Sequence, residues 1–527
     1  MEHRLPAVLI QIHYHDRIGG VRQVMVDYSR AFSARAGSDA PNYWWCRRCG
    51  PQRHGAATVE DLPGIDYHTY TSRRTFQNAA DRLIRSMLTR LRRFAGSGSV
   101  AVVGHNLALG KNPALAEAFA RCARTLSSET RTFRFFSVLH DFAEQGRFDL
   151  LARRELLRKS GVDVDAALYG RGAPVHFIAP DRQVRVITGL SGRFLSILPN
   201  LVEKRRTAVP DLPSSTIRQL LKQCAALDGL VFNPDLPLYC YPSRMIYRKN
   251  ILEALLLTTV MNEGSLVTGP SGLARADRRR MAAALALARR YGLSFAVDPG
   301  RLQRCTGETN SPAGESGNPF HLLLPEVDGA VTTSLAEGFG YALHEPWLYG
   351  TVVAGRCPEG IAPPAVTKGM AFYFRMPVPG SWVSLDRCYE RYRAAVTGVF
   401  TGKPASKKSF LHRFIHEDTV DFGLLGTAQQ VSIIRRIMQS DARRDELANL
   451  FNRYGCGLSE TCSTETVRTA AAAITRKNGP AAFEASFVKI LSRTGTPVEP
   501  AGWYRRITAW YMHQDRIRII TPAAGTD

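Results

Sequence analysis

The chain has 527 residues, of which 45% are hydrophobic and 22% are charged, so it is long enough for two or three globular domains and is not disordered as a whole. It carries 69 Lys and Arg against 46 Asp and Glu, a formal net charge of +23, which favours an anionic partner such as a nucleotide diphosphate, an acidic lipid surface or nucleic acid. Its apolar runs are too short for a signal peptide or a membrane span, which predicts a cytoplasmic location.

The ten cysteines are scattered along the chain. In a cytoplasmic protein most of them are expected to be small buried side chains. Cys46 and Cys49 form a CRRC pair with His54 close by, which could begin a zinc site. No second pair of ligands follows at a suitable spacing. We therefore predict no bound metal and keep a zinc site at the CRRC pair as the alternative.

The first strand, residues 7–13, leads into a helix that opens with two glycines. Gly19 and Gly20 precede apolar residues that recur at helical spacing, and such a start leaves room for a phosphate or for close approach of another backbone. The G-x-G-x-x-G pattern of dinucleotide binding is absent. The pattern by itself leaves both interpretations open.

The next helix, residues 73–94, is amphipathic and rich in arginine. Its apolar positions share one face, and five arginines lie largely around the other: Arg82, Arg85, Arg90, Arg92 and Arg93. A basic amphipathic helix can lie on an anionic membrane. It can equally pack on the fold and leave a solvated arginine face, as any surface helix does.

Two further strands of the first half end in polar residues. Strand 99–104 leads to His105, Asn106 and Lys111, and strand 133–139 leads to His140 followed by Asp141. Because the carboxyl ends of parallel strands meet at one edge of a sheet, these side chains are candidates for contacts with a donor or an acceptor. A lone His-Asp pair could also be a helix cap with satisfied polar groups.

The second half opens with strands at 229–232 and 236–241, and two cations follow. Arg244 and Lys249 are five residues apart, and a helix is predicted to start at about Asn250. The dipole at a helix N-terminus repels cations unless an anion lies between them. The pair therefore favours a bound anion over two solvated basic residues.

A strand, a glycine turn and a helix follow at 328–349. The turn reads Glu337-Gly338-Phe339-Gly340, and its glycines lie where backbone N–H groups would point outward at a helix N-terminus, an arrangement that attracts phosphate. Glu337 in the turn and Glu345 inside the helix are expected to face a crevice at the carboxyl edge of the sheet and to hold sugar hydroxyls. The alternative is an ordinary strand–helix–strand unit with two solvated glutamates.

These two motifs together resemble those of retaining glycosyltransferases with the two-domain GT-B fold, of the family-4 (glycosyl transferases group 1) type. Residues 337–345 are similar to the family's E-x7-E motif, which begins EGFG. Arg244 and Lys249 are similar to its Gly-Arg-Leu-x3-Lys-Gly motif, although Ser243 and Asn250 stand where the family has glycine. The resemblance covers most of residues 1–400.

The resemblance implies roles for individual residues. The cations and the turn N–H groups would neutralise the leaving diphosphate, Glu337 would orient sugar hydroxyls, and Glu345 would hold the ribose. The implied catalytic residues are Arg244, Lys249, Glu337 and His140, and the implied donor-binding residues are Gly19, Gly20, Phe339, Gly340, Tyr341 and Glu345.

The predicted fold class is α/β, with two facing doubly wound Rossmann-like domains and a helical C-terminal extension. The expected domains are 1–205 for the acceptor, 206–402 for the nucleotide sugar, and a helices-only segment 403–527 that packs back on the core. The implied function is retaining transfer of a hexose from a nucleotide diphosphate sugar, with no metal or other cofactor, to an acceptor that is a saccharide, a small polyol or lipid-linked.

Two alternatives to this function remain. One is a peripheral enzyme acting on a glycolipid at the inner membrane face, to which the basic helix would bind. The other is a nucleic-acid-binding protein that uses the +23 charge, although no recognised nucleic-acid motif supports it.

Overall fold

The computed structural model describes residues 5–17, 19–47, 53–130, 132–145, 147–190, 192–205, 213–299, 320–358, 372–399, 404–458, 463–493 and 506–507. These residues form two compact units. Unit 1 holds the described residues of Met1–Leu201 and Lys477–Met512, and unit 2 those of Val202–Arg476.

Unit 1 is built on a sheet whose eight described strands have the order β3-β4-β2-β1-β5-β6-β7-β8. Neighbouring strands are parallel except β3 and β4. The central strands β1 and β5 are buried almost throughout, as expected for a parallel sheet covered by helices on both faces. The strands are β1 Val8–His15, β2 Asn42–Arg47, β3 Arg53–His54, β4 Ala57–Asp61, β5 Val100–His105, β6 Phe133–Val138, β7 Val175–Ala179 and β8 Leu195–Ile197.

The helices of unit 1 include one from the C-terminal part of the chain, Pro480–Leu491. Phe483 and Phe487 of this helix pack on Tyr28, with ring centroids 5.9 and 5.0 Å apart, in a core shared with β1, β5 and β6. The other helices are Gly20–Ala36, Arg73–Arg92, Pro113–Glu129, Phe148–Lys159, Val164–Tyr169 and Gln183–Thr188.

The arginine-rich helix Arg73–Arg92 buries its apolar face within unit 1. On its other side, Arg90 and Arg93 both pair with Glu60, at 3.4 and 3.1 Å. Because the apolar side chains are already packed in the fold, only electrostatic attraction by the arginines would draw this helix to an anionic surface.

Unit 2 is built on a sheet whose six described strands are all parallel, in the order β11-β10-β9-β12-β13-β14. They are β9 Leu238–Tyr241, β10 Ser265–Thr268, β11 Phe295–Val297, β12 Gly329–Thr332, β13 Val353–Arg356 and β14 Phe372–Tyr373. The α-helices are Ser214–Leu227, Ile251–Leu255, Arg275–Tyr291, Phe320–Leu323, Tyr341–Leu348, Leu385–Val399, Lys407–Phe414, Thr427–Met438, Asp441–Tyr454 and Thr464–Asn478, whose last two residues fall in unit 1.

Each sheet reverses its strand order once. In unit 1 the chain runs outward from β1 through β2 and then returns to β5 on the other side of β1. In unit 2 it runs from β9 through β10 to β11 and returns to β12 on the other side of β9. Open α/β sheets bind ligands outside the carboxyl ends of the strands at such a switch point. This topology confirms the predicted α/β class with two Rossmann-like domains.

Two predictions of secondary structure are wrong. The expected strand 229–232 contributes only an isolated bridge, from Val231 to Ser294, because Val231 is exposed and packs too little to extend the sheet. The segment after residue 403 is not purely helical, because β16 Thr419–Asp421 pairs antiparallel with β15 Pro377–Pro379. These strands are too short to show an alternating pattern. Residues 494–505 and 508–527 of the predicted helices-only segment lie outside the described residues.

Candidate functional site

Lys249 and Glu337 form a buried ion pair at the switch point of unit 2. Lys249 ends a short 3-10 turn, Tyr247–Lys249, that follows β9, whereas Glu337 follows β12. Nη1 of Arg248, from the same turn, lies 3.7 Å from Oε2 of Glu337, and Oγ of Ser334 donates to Oε1 at 2.5 Å. Two cations share one carboxylate here, so the cluster is positively charged.

Hydrogen bonds between the two segments hold this cluster together. The hydroxyl of Thr333 donates to the carbonyl oxygen of Lys249 at 2.9 Å. The N–H of Leu335 donates to the carbonyl oxygen of Arg248 at 2.8 Å. The turn that carries the cations and the loop that carries Glu337 are therefore fixed relative to each other, which is how a preorganised site is built.

Burial and charge act in opposite directions on the pair. Burial raises the pKa of the Glu337 carboxyl, but the charges of Lys249 and Arg248 outweigh it and hold that pKa below its usual value. The pKa of Lys249 is lowered, because burial outweighs the attraction of Glu337. Glu337 is consequently ionised at neutral pH, and it offsets part of the positive charge of its neighbours.

Asn250 turns the chain from the cation-bearing turn into the next helix. Its φ is 53°, a left-handed conformation that favours glycine and that Asn tolerates. Its Nδ2 donates to Oε2 of Glu253 at 2.6 Å, and its Oδ1 accepts from Nε2 of Gln430 at 3.1 Å. These bonds explain how Asn serves at a position where the resembled motif has glycine.

A buried ionic network supports Asn250 from behind. Arg356 donates to the Glu253 carboxylate at 2.8 and 2.9 Å and to that of Asp421 at 2.6 and 2.9 Å. The hydroxyl of Tyr373 also donates to Glu253, at 2.9 Å. Asp421 belongs to β16 and Gln430 to the helix after it, so the segment beyond residue 403 helps to hold the cation-bearing turn.

Glu345 lies on the Tyr341–Leu348 helix and contacts a different set of residues. Its Oε2 is 4.0 Å from Nε2 of His321, and the His321 ring stacks on Tyr349 with centroids 5.4 Å apart. Neither ring nitrogen of His321 has a hydrogen-bond partner among the described residues. The Glu345 side chain is 12% exposed, so its carboxylate can accept hydrogen bonds from hydroxyls of a ligand.

The start of that helix has the backbone form expected of the glycine turn. Gly340 is left-handed, with a φ of 84°. Phe339 stacks on His344 at 4.8 Å, and Nδ1 of His344 lies 2.9 Å from the Gly340 carbonyl oxygen. The N–H groups of residues 339–341 thus lie at a helix N-terminus, where the partial charge is positive.

In unit 1, His140 ends a chain of hydrogen bonds. Nε2 of Gln11 donates to the Met25 carbonyl oxygen at 3.0 Å and to Oγ of Ser29 at 2.8 Å. The amide oxygen therefore faces Nε2 of His105, at 2.9 Å, and that nitrogen must carry the proton. Burial lowers the pKa of His105 well below its usual value. Its bare Nδ1 then accepts from Nε2 of His140 at 3.2 Å.

This chain determines the proton position on His140. The proton lies on Nε2 and the lone pair on Nδ1. Burial lowers the pKa of His140 to about 4, although Asp141 acts in the opposite direction. At neutral pH the ring is therefore uncharged and can accept a hydrogen bond at Nδ1.

Gly19 and Gly20 lie at the start of a 17-residue helix in unit 1. A Cβ at either position would meet no atom within 4 Å, and the helix has neither a side-chain cap nor an acidic residue in its first turn. Open space and an uncapped helix N-terminus are the two features that an approaching phosphate requires.

Of the cations predicted in unit 2, only Lys249 lies beside Glu337. Arg244 is exposed, and its side chain pairs with no carboxylate of the described residues. Arg248 occupies the second place in the cluster. Arg248 was not predicted, because the spacing of the resembled motif points to Arg244, whose contact with the diphosphate stays a prediction. No pattern in the sequence pointed to His321.

Two features are absent from the described ranges, a cluster of metal ligands and a helix that could span a membrane. No group of three or more His, Cys, Asp or Glu side chains there is arranged to hold a metal ion. Cys46 is buried in β2, and Cys49 lies outside the described residues, so zinc binding at the CRRC pair stays a hypothesis. No described helix is both long and apolar enough to cross a membrane.

Comparison with known proteins gives one relative in sequence and several in structure. No family model matches the chain. The chain is 28% identical over 404 residues to mannosylglucosyl-3-phosphoglycerate synthase of Petrotoga mobilis, covering 74% of this chain and 72% of that protein. Together with the motifs and the topology, this similarity confirms the predicted resemblance to glycosyltransferases and supports glycosyl transfer as the class of activity.

The similar solved structures have low sequence identity. WaaG, a glycosyltransferase involved in lipopolysaccharide biosynthesis, is 15% identical with a TM-score of 0.45, covering 89% of this chain and 100% of that one. Sucrose-phosphate synthase from Thermosynechococcus elongatus is 14% identical with a TM-score of 0.47, covering 85% and 99%. The trehalose 6-phosphate synthase of Burkholderia multivorans is 12% identical with a TM-score of 0.45, covering 92% and 98%.

Proposed function

We propose that this chain is a retaining glycosyltransferase that moves a hexose from a nucleotide diphosphate sugar to the hydroxyl of an acceptor. The observation that carries the proposal is the pair of cations, Lys249 and Arg248, held around Glu337 at the switch point of unit 2. Fixed cations outside the carboxyl ends of parallel strands suit the phosphates of such a donor. The Petrotoga relative supports the sugar part of the proposal, since its name describes a product with mannosyl and glucosyl units.

In the proposed reaction, the bond between the sugar C1 and the diphosphate oxygen breaks and a bond from C1 to the acceptor oxygen forms on the same face. The acceptor proton passes to the departing phosphate oxygen. Negative charge grows on the diphosphate as the bond breaks, so fixed cations bind the transition state more strongly than the ground state. Lys249 has three N–H donors and can reach a phosphate oxygen while it remains near Glu337.

Other described groups have supporting roles in this proposal. Glu345 accepts hydrogen bonds from the ribose hydroxyls, and the N–H groups of residues 339–341 add to the positive field at the phosphates. The neutral ring of His140 accepts a hydrogen bond from a sugar hydroxyl at Nδ1. Because side chains supply the positive charge, no metal ion is required for the leaving group to depart.

The experiment is a thermal-shift panel of UDP-, GDP- and ADP-hexoses on the full chain, with Lys249→Met as the test variant. Lys222→Met is the matched control, because Lys222 is an exposed lysine on another helix of unit 2. We expect one nucleotide class to stabilise the wild type and the control more than it stabilises Lys249→Met. Stabilisation by none of the nucleotide sugars, or full stabilisation of Lys249→Met, would overturn the proposal.

Once the donor is known, the products report on the finer parts of the proposal. We expect NMR of the anomeric proton to show the same configuration in donor and product, and we expect EDTA to leave the rate unchanged. An inverted product would exclude the retaining mechanism, and a loss of activity in EDTA would exclude metal independence.

A further inference from the structure

A second polar cluster lies at the switch point of unit 1, between the carboxyl ends of β1 and β5. We call it the Tyr67 cluster, and it consists of Tyr67, Lys111 and His15. The Tyr67 hydroxyl oxygen lies 2.5 Å from Nζ of Lys111 and 2.7 Å from Nε2 of His15. His15 is the last residue of β1, and Lys111 follows β5. The cluster thus occupies the edge of the sheet where unit 1 is expected to bind a ligand.

The direction of each hydrogen bond in this cluster follows from its chemistry. The Lys111 ammonium can only donate, so the Tyr67 oxygen accepts from it. Nδ1 of His15 accepts from the N–H of Arg17 at 3.3 Å, so in a neutral ring the proton is on Nε2 and His15 also donates to Tyr67. Burial, together with the charges of Lys111 and Arg17, lowers the pKa of His15 to about 4 and keeps this ring neutral. The Tyr67 oxygen accepts twice and can therefore only donate its own proton.

The carboxylates near the cluster already have partners of their own. Asp141 accepts from Nδ2 of Asn106 at 2.6 Å and from Arg147 at 2.8 Å, through different oxygens. Oδ2 of Asp16 lies 3.6 Å from Nε2 of His54. Both carboxylates thus have contacts outside the Tyr67–Lys111–His15 hydrogen bonds.

The cluster is also accessible. Tyr67 is 44% exposed, and Lys111 and His15 are half-buried. The rings of Tyr14 and His15 pack against Tyr67 with centroids 5.3 and 5.2 Å away, so its hydroxyl is held in place. A ligand would meet an array that is positioned in advance and that offers donors only.

We propose that the Tyr67 cluster binds an oxyanion, a phosphate or a carboxylate, carried by the acceptor. This inference rests on the proposed function and deepens it: the acceptor is a small hydroxylated anion. Donors that carry positive charge bind oxyanions through charge-assisted hydrogen bonds. A neutral polyol offers oxygens that carry no negative charge, so we expect it to bind more weakly than an oxyanion.

The test compares three ligands that share a carbon skeleton: glycerol, glycerate and 3-phosphoglycerate. Their binding to the full chain is measured by isothermal titration calorimetry. We expect 3-phosphoglycerate to bind and glycerol not to bind, and the affinity for glycerate tells whether a carboxylate suffices. We expect Lys111→Met to weaken 3-phosphoglycerate binding about 10- to 100-fold, the range for a hydrogen bond to a charged group. Tyr67→Phe, which keeps every charge, is expected to weaken it about 2- to 10-fold.

Lys159→Met is the matched control, because Lys159 is an exposed lysine of unit 1 outside the cluster. Circular dichroism of each variant verifies that it is folded. Failure of 3-phosphoglycerate to bind, equal binding of glycerol, unchanged affinity in Lys111→Met, or an equal loss in Lys159→Met would each overturn the proposed oxyanion site.

The same variants separate this inference from the proposed function. The proposed phosphate and ribose contacts of the nucleotide sugar lie in unit 2 and do not involve Lys111, so stabilisation by the nucleotide sugar is expected to be unchanged in Lys111→Met. Loss of oxyanion binding with intact nucleotide-sugar binding would overturn the oxyanion site alone. Oxyanion binding without any nucleotide-sugar binding would overturn the glycosyltransferase proposal and leave the oxyanion site standing.

Discussion

Replacing Lys249 by Met tests whether the buried cation acts on the leaving group. The substitution keeps a side chain of similar length and removes one charge beside Glu337. A fixed group that stabilises charge in a transition state contributes about 2.7–4 kcal/mol, so we expect kcat to fall about 100- to 1000-fold. The assay is the initial rate at saturating nucleotide sugar, with Lys222→Met as control.

The structure also sets the expected cost in stability. Breaking a buried ion pair usually costs about 3–5 kcal/mol, because a charge is left without a partner. Glu337 keeps other partners here, among them Nη1 of Arg248 at 3.7 Å and the hydroxyl of Ser334 at 2.5 Å. We therefore expect a loss at or below the lower end of that range in urea unfolding, and a variant that is folded but slow.

A double variant separates catalysis from structure. If Lys249 only positions Glu337, then Glu337→Gln should remove the need for it, and the two changes should be strongly non-additive in both stability and rate. We expect Lys249→Met with Glu337→Gln to recover stability but not turnover. A loss in kcat smaller than about 10-fold in the single variant, or turnover restored in the double variant, would refute the reasoning.

Further predictions concern the supporting residues. Arg356→Leu leaves two buried carboxylates without their cation, so urea unfolding should show a loss of about 3–5 kcal/mol; an unchanged midpoint would contradict this. Glu345→Gln should weaken nucleotide-sugar binding about 10- to 100-fold while pyrophosphate binding stays the same, and equal losses for both ligands would argue against a ribose contact. His105→Phe removes the acceptor for the Nε2 proton of His140, so ¹⁵N NMR of the imidazoles should show a mixture of tautomers; a single tautomer would disprove the hydrogen-bond chain. The pKa of His140 is about 4 in the folded protein and about 6.5 in the unfolded chain. As the pH falls below about 6.5, the unfolded chain therefore binds a proton at this histidine before the folded protein does. At pH 5 this difference lowers the free energy of unfolding by about 2 kcal/mol relative to neutral pH. His140→Gln should therefore flatten the loss of stability between pH 7 and pH 5, and identical slopes would contradict it.

Strand positions were predictable where an apolar run is buried on both faces. β1 and β5 are such runs, and local composition suffices for them because both faces of a covered parallel sheet demand apolar side chains. Local composition did not predict strands correctly where a short segment joins a sheet only through contacts with distant residues. Residues 229–232 have a similar composition but remain outside the sheet, and β16 has only three residues, too few for a periodic pattern.

Local patterns along the chain are enough to predict the α/β class, the glycine turn before the Tyr341–Leu348 helix, and the location of Lys249 and Glu337 after two strands of one half. These features arise between residues that are close in the sequence, so their spacing is visible without the fold. Only the packed fold shows that Arg248 contacts Glu337, that His321 lies beside Glu345, and that Gln11 sets the proton position on His140. Such contacts depend on the order of strands in a sheet and on side-chain direction, which arise from packing between distant segments and leave no periodic signal in the sequence.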